Sequence, residues 1–297
     1  MKRRPYGRDL GLTIRMGIAL VPILFWYLLM LALLVVVVIA VVQNPSWETV
    51  LGLGLFAVGG PIALAEQFLN SEAVGLRAAR AKQLEKDDHA ELQALVARVA
   101  AQADLPAPRV AIARSWAANA FSVGLTERRA VVAFTSELLR RDLTRGELEA
   151  VVAHELAHIA NRDGVVMTFV SAPALLGSAL WHERSWRGKI LFILFYWPFF
   201  LVGLLTMWTL SRYREYVADR GAAQITGTPE QLMSALQKLA GRPARGDLRG
   251  GLAVQALCIL PTRTRGWRRF ELLADHPPLE KRLERLEELS RELGKAA

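Results

Sequence analysis

The stretch ELEAVVAHELAHIANRDG (147–164) holds two of the chain's five histidines, four positions apart with a glutamate between them. On a helix, His154 and His158 project from one face and can share one tetrahedral ion, while Glu155 falls on the adjacent flank. From there it is offset from ligation but placed to bond a water held by the ion, the HExxH arrangement with glutamate as general base. The plain alternative is a pair of polar residues closing a helix at a membrane surface. It gives His-Glu-His little to do on a helix otherwise built of Ala, Val, Leu and Ile. Just upstream, TRGE (144–147) matches a capping box, so the helix is expected to begin there.

Downstream of Gly164 the sequence turns uncharged and apolar. Residues 165–181 (VVMTFVSAPALLGSALW) and 190–210 (ILFILFYWPFFLVGLLTMWTL) are separated only by HERSWRGK and read as a helical hairpin. The second has the ~20 residues a span needs, and the first sits at the lower limit of ~17. Nearer the N-terminus, residues 16–42 are uncharged and too long for a signal-peptide core, and residues 50–69 form a weaker segment with Gly59, Gly60 and Pro61 inside it. Hydrophobic residues make up 53% of the 297, which suits a chain with four such segments better than a soluble enzyme. The formal charge of +9 places five basic residues (Lys2, Arg3, Arg4, Arg8, Arg15) directly before the first apolar run. That position points to a membrane surface, and no nucleic-acid module is present. The same rule puts the N-terminus, LRAARAK (76–82) and SRYR (211–214) on the cytoplasmic side, although Arg184, Arg187 and Lys189 of the second outer loop dissent. With Cys258 as its one cysteine, the chain has no intrachain disulfide and no cysteine-rich zinc site.

The expected organisation is an N-terminal membrane hairpin (1–75), a first part of a catalytic domain (76–164), a second membrane hairpin (165–210) and the rest of that domain (211–297). In the first part, ELQALVARVAAQA has helical spacing, PRVAIAR and RAVVAF read as strands, and NAFSVGLTE reads as a turn-bearing connection. Toward the C-terminus, residues 242–269 carry seven arginines against one acid, Asp247, and read most simply as a solvated loop. Leucines at 279, 283, 286, 289 and 293 then mark an amphipathic helix beginning at Pro277-Pro278. The fold class is α+β and predominantly α-helical, with about four transmembrane helices and a small β-sheet.

Two histidines leave a catalytic zinc one protein ligand short. Asp163 is close in sequence but is expected to face away from the pair at the helix end. Glu215, in SRYREYVADRGAA, is the stronger candidate, because there polar sequence resumes after the hairpin has returned the chain to the membrane surface. Asp219, one turn further on, can accept the outward N–H of a ligating histidine. The alternative for this pair is an exposed helix on which both acids are solvated beside Arg212, Arg214 and Arg220.

The order of an N-terminal span pair, NAFSVG, ELEAVVAHELAHIANRDG, two apolar segments, SRYREYVADRGA and HPPLEKRLERL resembles the HtpX-type membrane zinc metallopeptidases, relatives of the CAAX prenyl proteases. The resemblance covers nearly the whole chain. It implies a zincin-type domain with one Zn2+ on His154, His158 and Glu215, and Glu155 as catalyst. It further implies a bacterial inner-membrane location with the site and both termini cytoplasmic. By the same resemblance Asn119 and His276 are substrate or oxyanion contacts, and AVVAF (130–134) is an edge strand that binds a protein or peptide substrate as an added strand at Val131–Phe134. The implied activity is hydrolysis of misfolded membrane proteins. A metal-binding scaffold without turnover and a CAAX-type processing protease are the competing readings; Glu155 speaks against the first, and four spans are few for the chamber of the second.

Overall fold

The computed structural model describes residues 69–167, 170, 197–240 and 277–296, together with scattered positions between 14 and 43. Most of the apolar segments, the arginine-rich stretch 242–269, Cys258 and His276 lie outside the described residues. The described positions between 14 and 43 are helical, and apart from the half-buried Leu29 the large apolar side chains among them, from Ile14 to Val42, are between 43% and 74% exposed. Among the described residues no helix is long and apolar enough to cross a membrane.

Seven helices and four strands frame the site: α1 (Ser71–Ala78), β1 (Ala81–Gln83), α2 (Ala90–Gln102), β2 (Arg109–Ala113), β3 (Ala120–Val123), β4 (Val131–Thr135), α3 (Ser136–Leu139), α4 (Arg145–Ala160), α5 (Trp197–Thr226), α6 (Pro229–Ala240) and α7 (Leu279–Ala296). This part of the chain is mostly helical with one small sheet, as the patterns predict. The sheet runs β1-β2-β4-β3. β2 and β4 are parallel with Arg109 opposite Val131, and β3 is antiparallel to β4 with Ala120 opposite Phe134. Two-residue alternation sorts the side chains. Val110, Ala120, Val132 and Phe134 face the main core under α2 and α4, while Ala111, Phe121, Val123, Val131 and Ala133 face the side closed by α1. β4, buried along its whole length, reads as an unbroken apolar run because both of its faces are covered.

Two sequence expectations are corrected here. NAFSVGLTE is not only a connection, since Ala120–Val123 is a strand and the turn comes at Gly124, whose φ of +135° only glycine adopts readily. Val131–Phe134 is not an edge strand: β2 occupies one side of it and β3 the other, so its backbone groups are already paired. Among the described residues the terminal strand on that side is β3.

The core centres on α4, which is buried on nearly every side and touches β3, α2, α5 and α6. Its start is fixed by the capping box, with the Thr144 hydroxyl accepting from the Glu147 N–H and Glu147 Oε2 accepting from the Thr144 N–H. Glu147 also ties α4 to α6, accepting from Ser234 at 2.6 Å and from Lys238 at 2.8 Å. Burial pushes the Glu147 carboxyl up, but Lys238, Ser234 and Thr144 outweigh it and hold it below the ordinary value of 4.5. Its stabilisation is therefore present above that value and lost as the pH falls through the lower folded-state value. Glu147→Ala is expected to cost about 1–3 kcal/mol, read as a lower melting temperature in detergent at neutral pH. The gap between variant and wild type is expected to close on acidification.

Candidate metal centre

His154 and His158 lie one turn apart on α4, with their Nε2 atoms 3.1 Å from each other and the rings edge to face. Glu215 approaches from α5, its Oε2 3.6 Å from His154 Nε2 and its Oε1 3.5 Å from His158 Nε2. One ligand atom from each of the three lies within 4.8 Å of the others, and all three residues are buried. Ligand atoms about 2.0–2.2 Å from a tetrahedral ion lie roughly 3.3–3.6 Å from one another. The observed spacing fits a single ion of that kind.

Each imidazole is oriented from behind. His154 Nδ1 lies 3.1 Å from Asp219 Oδ1 and His158 Nδ1 lies 2.6 Å from Asp163 Oδ2, which leaves both Nε2 atoms for a metal. Asp163 therefore does not face away from the histidines. The straight-helix extrapolation misplaces it by about 140° of rotation, because Arg162 adopts a left-handed φ of 58° and turns the chain back. Nor is the helix that carries Glu215 and Asp219 a solvated one at this point, with the two acids only 0% and 3% exposed.

Two buried arginines complete the surroundings, and the sequence reading passed over both roles. Arg282 of α7 donates from Nε to Asp219 Oδ2 at 2.8 Å and from Nη2 to Oδ1 at 2.6 Å, with Nη1 3.2 Å from Glu215 Oε2. Arg214 places Nε 3.2 Å from Asp163 Oδ2. The signal for Arg282 lies in its spacing: positions 279, 282, 286, 289 and 293 step by three and four along the inward face of α7, and an arginine stands where a leucine would suffice.

Charge accounting supports the same fit. Glu155, Asp163, Glu215 and Asp219 are all buried, against the buried guanidiniums of Arg214 and Arg282. Among the described residues the buried acids outnumber the buried guanidiniums, an excess that is costly to bury uncompensated and that a cation would offset. In the metal-free protein the histidines take up the balance. Burial alone would push His158 down, but Asp163 and Glu215 outweigh it and hold the imidazole up at about 9. Burial likewise opposes the shift of His154, which Asp219 and Glu215 raise above its ordinary value.

Glu155 is buried, and among the described residues neither of its carboxyl oxygens has a hydrogen-bond partner of good geometry. Burial pushes its carboxyl above the usual carboxylate range, against the pull of His158, His154 and Ser122. Such an orphaned carboxylate beside the ligand triangle fits a residue whose partners are water and substrate. Asn119 sits at the head of β3, its Oδ1 accepting from the Ala120 N–H at 3.0 Å and its backbone paired with Thr135. His276 lies outside the described residues.

The site depends on a close crossing of α4 and α5. A methyl group on Gly221 would lie 2.7 Å from the Cβ of Ala157, the residue before His158. Gly221→Val is expected to force the helices apart, lowering stability by about 1–3 kcal/mol and weakening zinc binding in a chelator competition; wild-type zinc affinity in the variant would contradict this geometry. The histidine shifts give a second expectation. The His158 proton stabilises the metal-free fold fully below 6.5, and that contribution is lost as the pH rises through about 9. Zinc binding at pH 7 should therefore release protons, seen as a binding heat that varies with the ionisation enthalpy of the buffer. A buffer-independent heat would contradict it.

Comparison with known proteins agrees with these features. The family model for peptidase family M48 matches residues 86–290. Over 98% of both chains the protein is 39% identical to the protease HtpX homolog of Moorella thermoacetica. It is 35% identical to protease HtpX homolog 2 of Methanosarcina mazei, over 98% of this chain and all of that one. A crystal structure of S. mikatae Ste24p matches at 20% identity with a TM-score of 0.47, over 94% of this chain, which spans 66% of that structure's chain. The chain thus belongs to peptidase family M48, with its HtpX-type members.

Proposed function

We propose that this chain is a membrane-embedded, zinc-dependent endopeptidase that cleaves peptide bonds at the cytoplasmic membrane face, in the quality control of misfolded membrane proteins. The observation that carries the reading is the buried triangle of His154, His158 and Glu215 with the buried carboxylate of Glu155 beside it, which among the described residues lacks a well-formed hydrogen bond. These three residues would hold one zinc ion per chain, which when bound lowers the pKa of a water toward ~7 and polarises a scissile carbonyl. Glu155 takes a proton from the attacking water and later delivers it to the nitrogen of the leaving amine. Asp163 holds the His158 Nδ1 proton, the Asp219 carboxylate stands 3.1 Å behind His154 Nδ1, and Arg282 keeps Asp219 in place.

Substrate adds as a strand to the outer edge of β3, which packs against α4 and ends the sheet among the described residues. On this reading Asn119, whose carboxamide oxygen accepts from the Ala120 N–H, stands at the head of that strand as a substrate contact. Asn119 and His276 then stabilise the oxyanion, a role that rests on the family resemblance.

Membrane attachment rests on sequence and on two structural features. α5 runs unbroken from the apolar segment into the polar helix that carries Glu215, placing that residue about 8 Å along the axis from Leu210. The helical positions between 14 and 43 also leave most of their large apolar side chains uncovered by protein, as a lipid-facing span does. Four spans, in the divisions 1–75, 76–164, 165–210 and 211–297, complete the arrangement.

The test uses the purified full chain in detergent or nanodiscs with an unfolded membrane protein as substrate. Glu155→Gln is expected to keep about one zinc per chain and to lose cleavage by a factor of about 10² to 10⁴. A variant that binds zinc and still cleaves refutes the mechanism, and a wild-type chain that binds zinc without cleaving favours a metal-binding scaffold.

A further inference from the structure

We propose that Arg214 is a positioning residue that couples the apolar hairpin to the metal centre, acting on His158 through Asp163. The inference rests on the zinc reading above and extends it to a residue outside the ligand set. A single atom carries the connection: Asp163 Oδ2 lies 2.6 Å from His158 Nδ1 and 3.2 Å from Arg214 Nε. Asp163 and Arg214 are 2% and 1% exposed, so the pair is screened little by water and each charge depends on the other.

Their places in the chain give the pair its meaning. Asp163 is the last charged residue before the apolar run that begins at Val165, and Arg214 follows shortly after the second run ends at Leu210. Everything in the hairpin is strung between these two residues. The base of the hairpin is closed a second time by packing, for Met167 and Val170 on the outgoing side form a buried cluster with Met207 and Leu210 on the returning side. The ion pair and the apolar cluster together fix how the two arms leave the catalytic domain.

His158 needs a fixed partner behind it because Arg162 has broken α4 with a left-handed backbone. Asp163 is held by the turn and by Arg214, not by a continuing helix. If Arg214 is removed, Asp163 loses its buried counter-charge and the carboxylate is free to turn from the imidazole. The His158 Nδ1 proton then has no fixed acceptor, and Nε2 loses its aim at the metal. Outer carboxylates of this kind typically contribute 10- to 100-fold in metal affinity.

The experiment measures zinc affinity by chelator competition, and the visible absorption of the cobalt-substituted protein, for the full chain in nanodiscs. Arg214→Gln and Asp163→Asn are each expected to weaken zinc binding by about 10- to 100-fold and to shift the cobalt spectrum. The double variant should be no weaker than the weaker single one, because both act through one oxygen. A folded Arg214→Gln with wild-type affinity and an unchanged cobalt spectrum overturns the proposal, as do losses that multiply in the double variant. If Arg214→Gln does not fold, the double variant, which buries no unpaired charge of this pair, decides: zinc affinity equal to that of Asp163→Asn supports the proposal, and a further loss overturns it. A wild-type chain that binds no zinc refutes the metal reading itself, whereas tight wild-type binding matched by Arg214→Gln refutes only this coupling.

Discussion

Four carboxylates and two guanidiniums are buried within one small region of this protein, and the rest of the architecture is arranged around that imbalance. Such an excess of acids over guanidiniums is costly to keep in a low-dielectric interior without compensation. The histidines supply it by taking up protons, for which both are raised above their ordinary values, and a divalent ion supplies it more economically from the same nitrogens. Arg282 spans two of the acids and Arg214 a third, so each of these three carboxylates is held by a cation on one side while its other side is turned to an imidazole. The geometry of the ligand triangle and the electrostatics of its surroundings therefore have one cause.

Holding this cluster together requires elements from distant parts of the chain. α4 supplies both histidines and Glu155, started by its capping box and tethered to α6 through Glu147. α5 supplies Glu215 and Asp219, and reaches them only because Gly221 lets it pass close to Ala157. α7 comes from the C-terminus to place Arg282 over the acids. The sheet provides a floor whose edge strand, β3, runs beside the catalytic helix. A substitution that spares every ligand but changes one of these crossings is thus able to dismantle the site.

The parts of this design written in local patterns were legible in the sequence. Thr144 and Glu147 announced the helix start, and the spacing of His154, Glu155 and His158 announced a metal on one face. Glu215 and Asp219 stood out because polar sequence resumed where the hairpin had to return. What stayed hidden depended on non-local or irregular geometry. Asp163 was turned toward His158 by the left-handed backbone at Arg162, which helix periodicity cannot foresee. β3 is only four residues long and holds a serine, so it read as a connection. β4 looked like an edge because order along the chain does not reveal that β3 folds back outside it. Arg282 sits within a leucine stripe, and the leucine spacing alone does not single it out.

The central claim is that one metal ion bridges α4 and α5 through Glu215. It is tested most directly by the zinc content of Glu215→Ala after dialysis against a chelator that leaves the wild-type chain with one ion. The account expects the variant to emerge folded and essentially free of zinc, because two imidazoles alone do not make a tight site. Full occupancy in that variant would contradict it and would show that the third ligand comes from elsewhere in the chain.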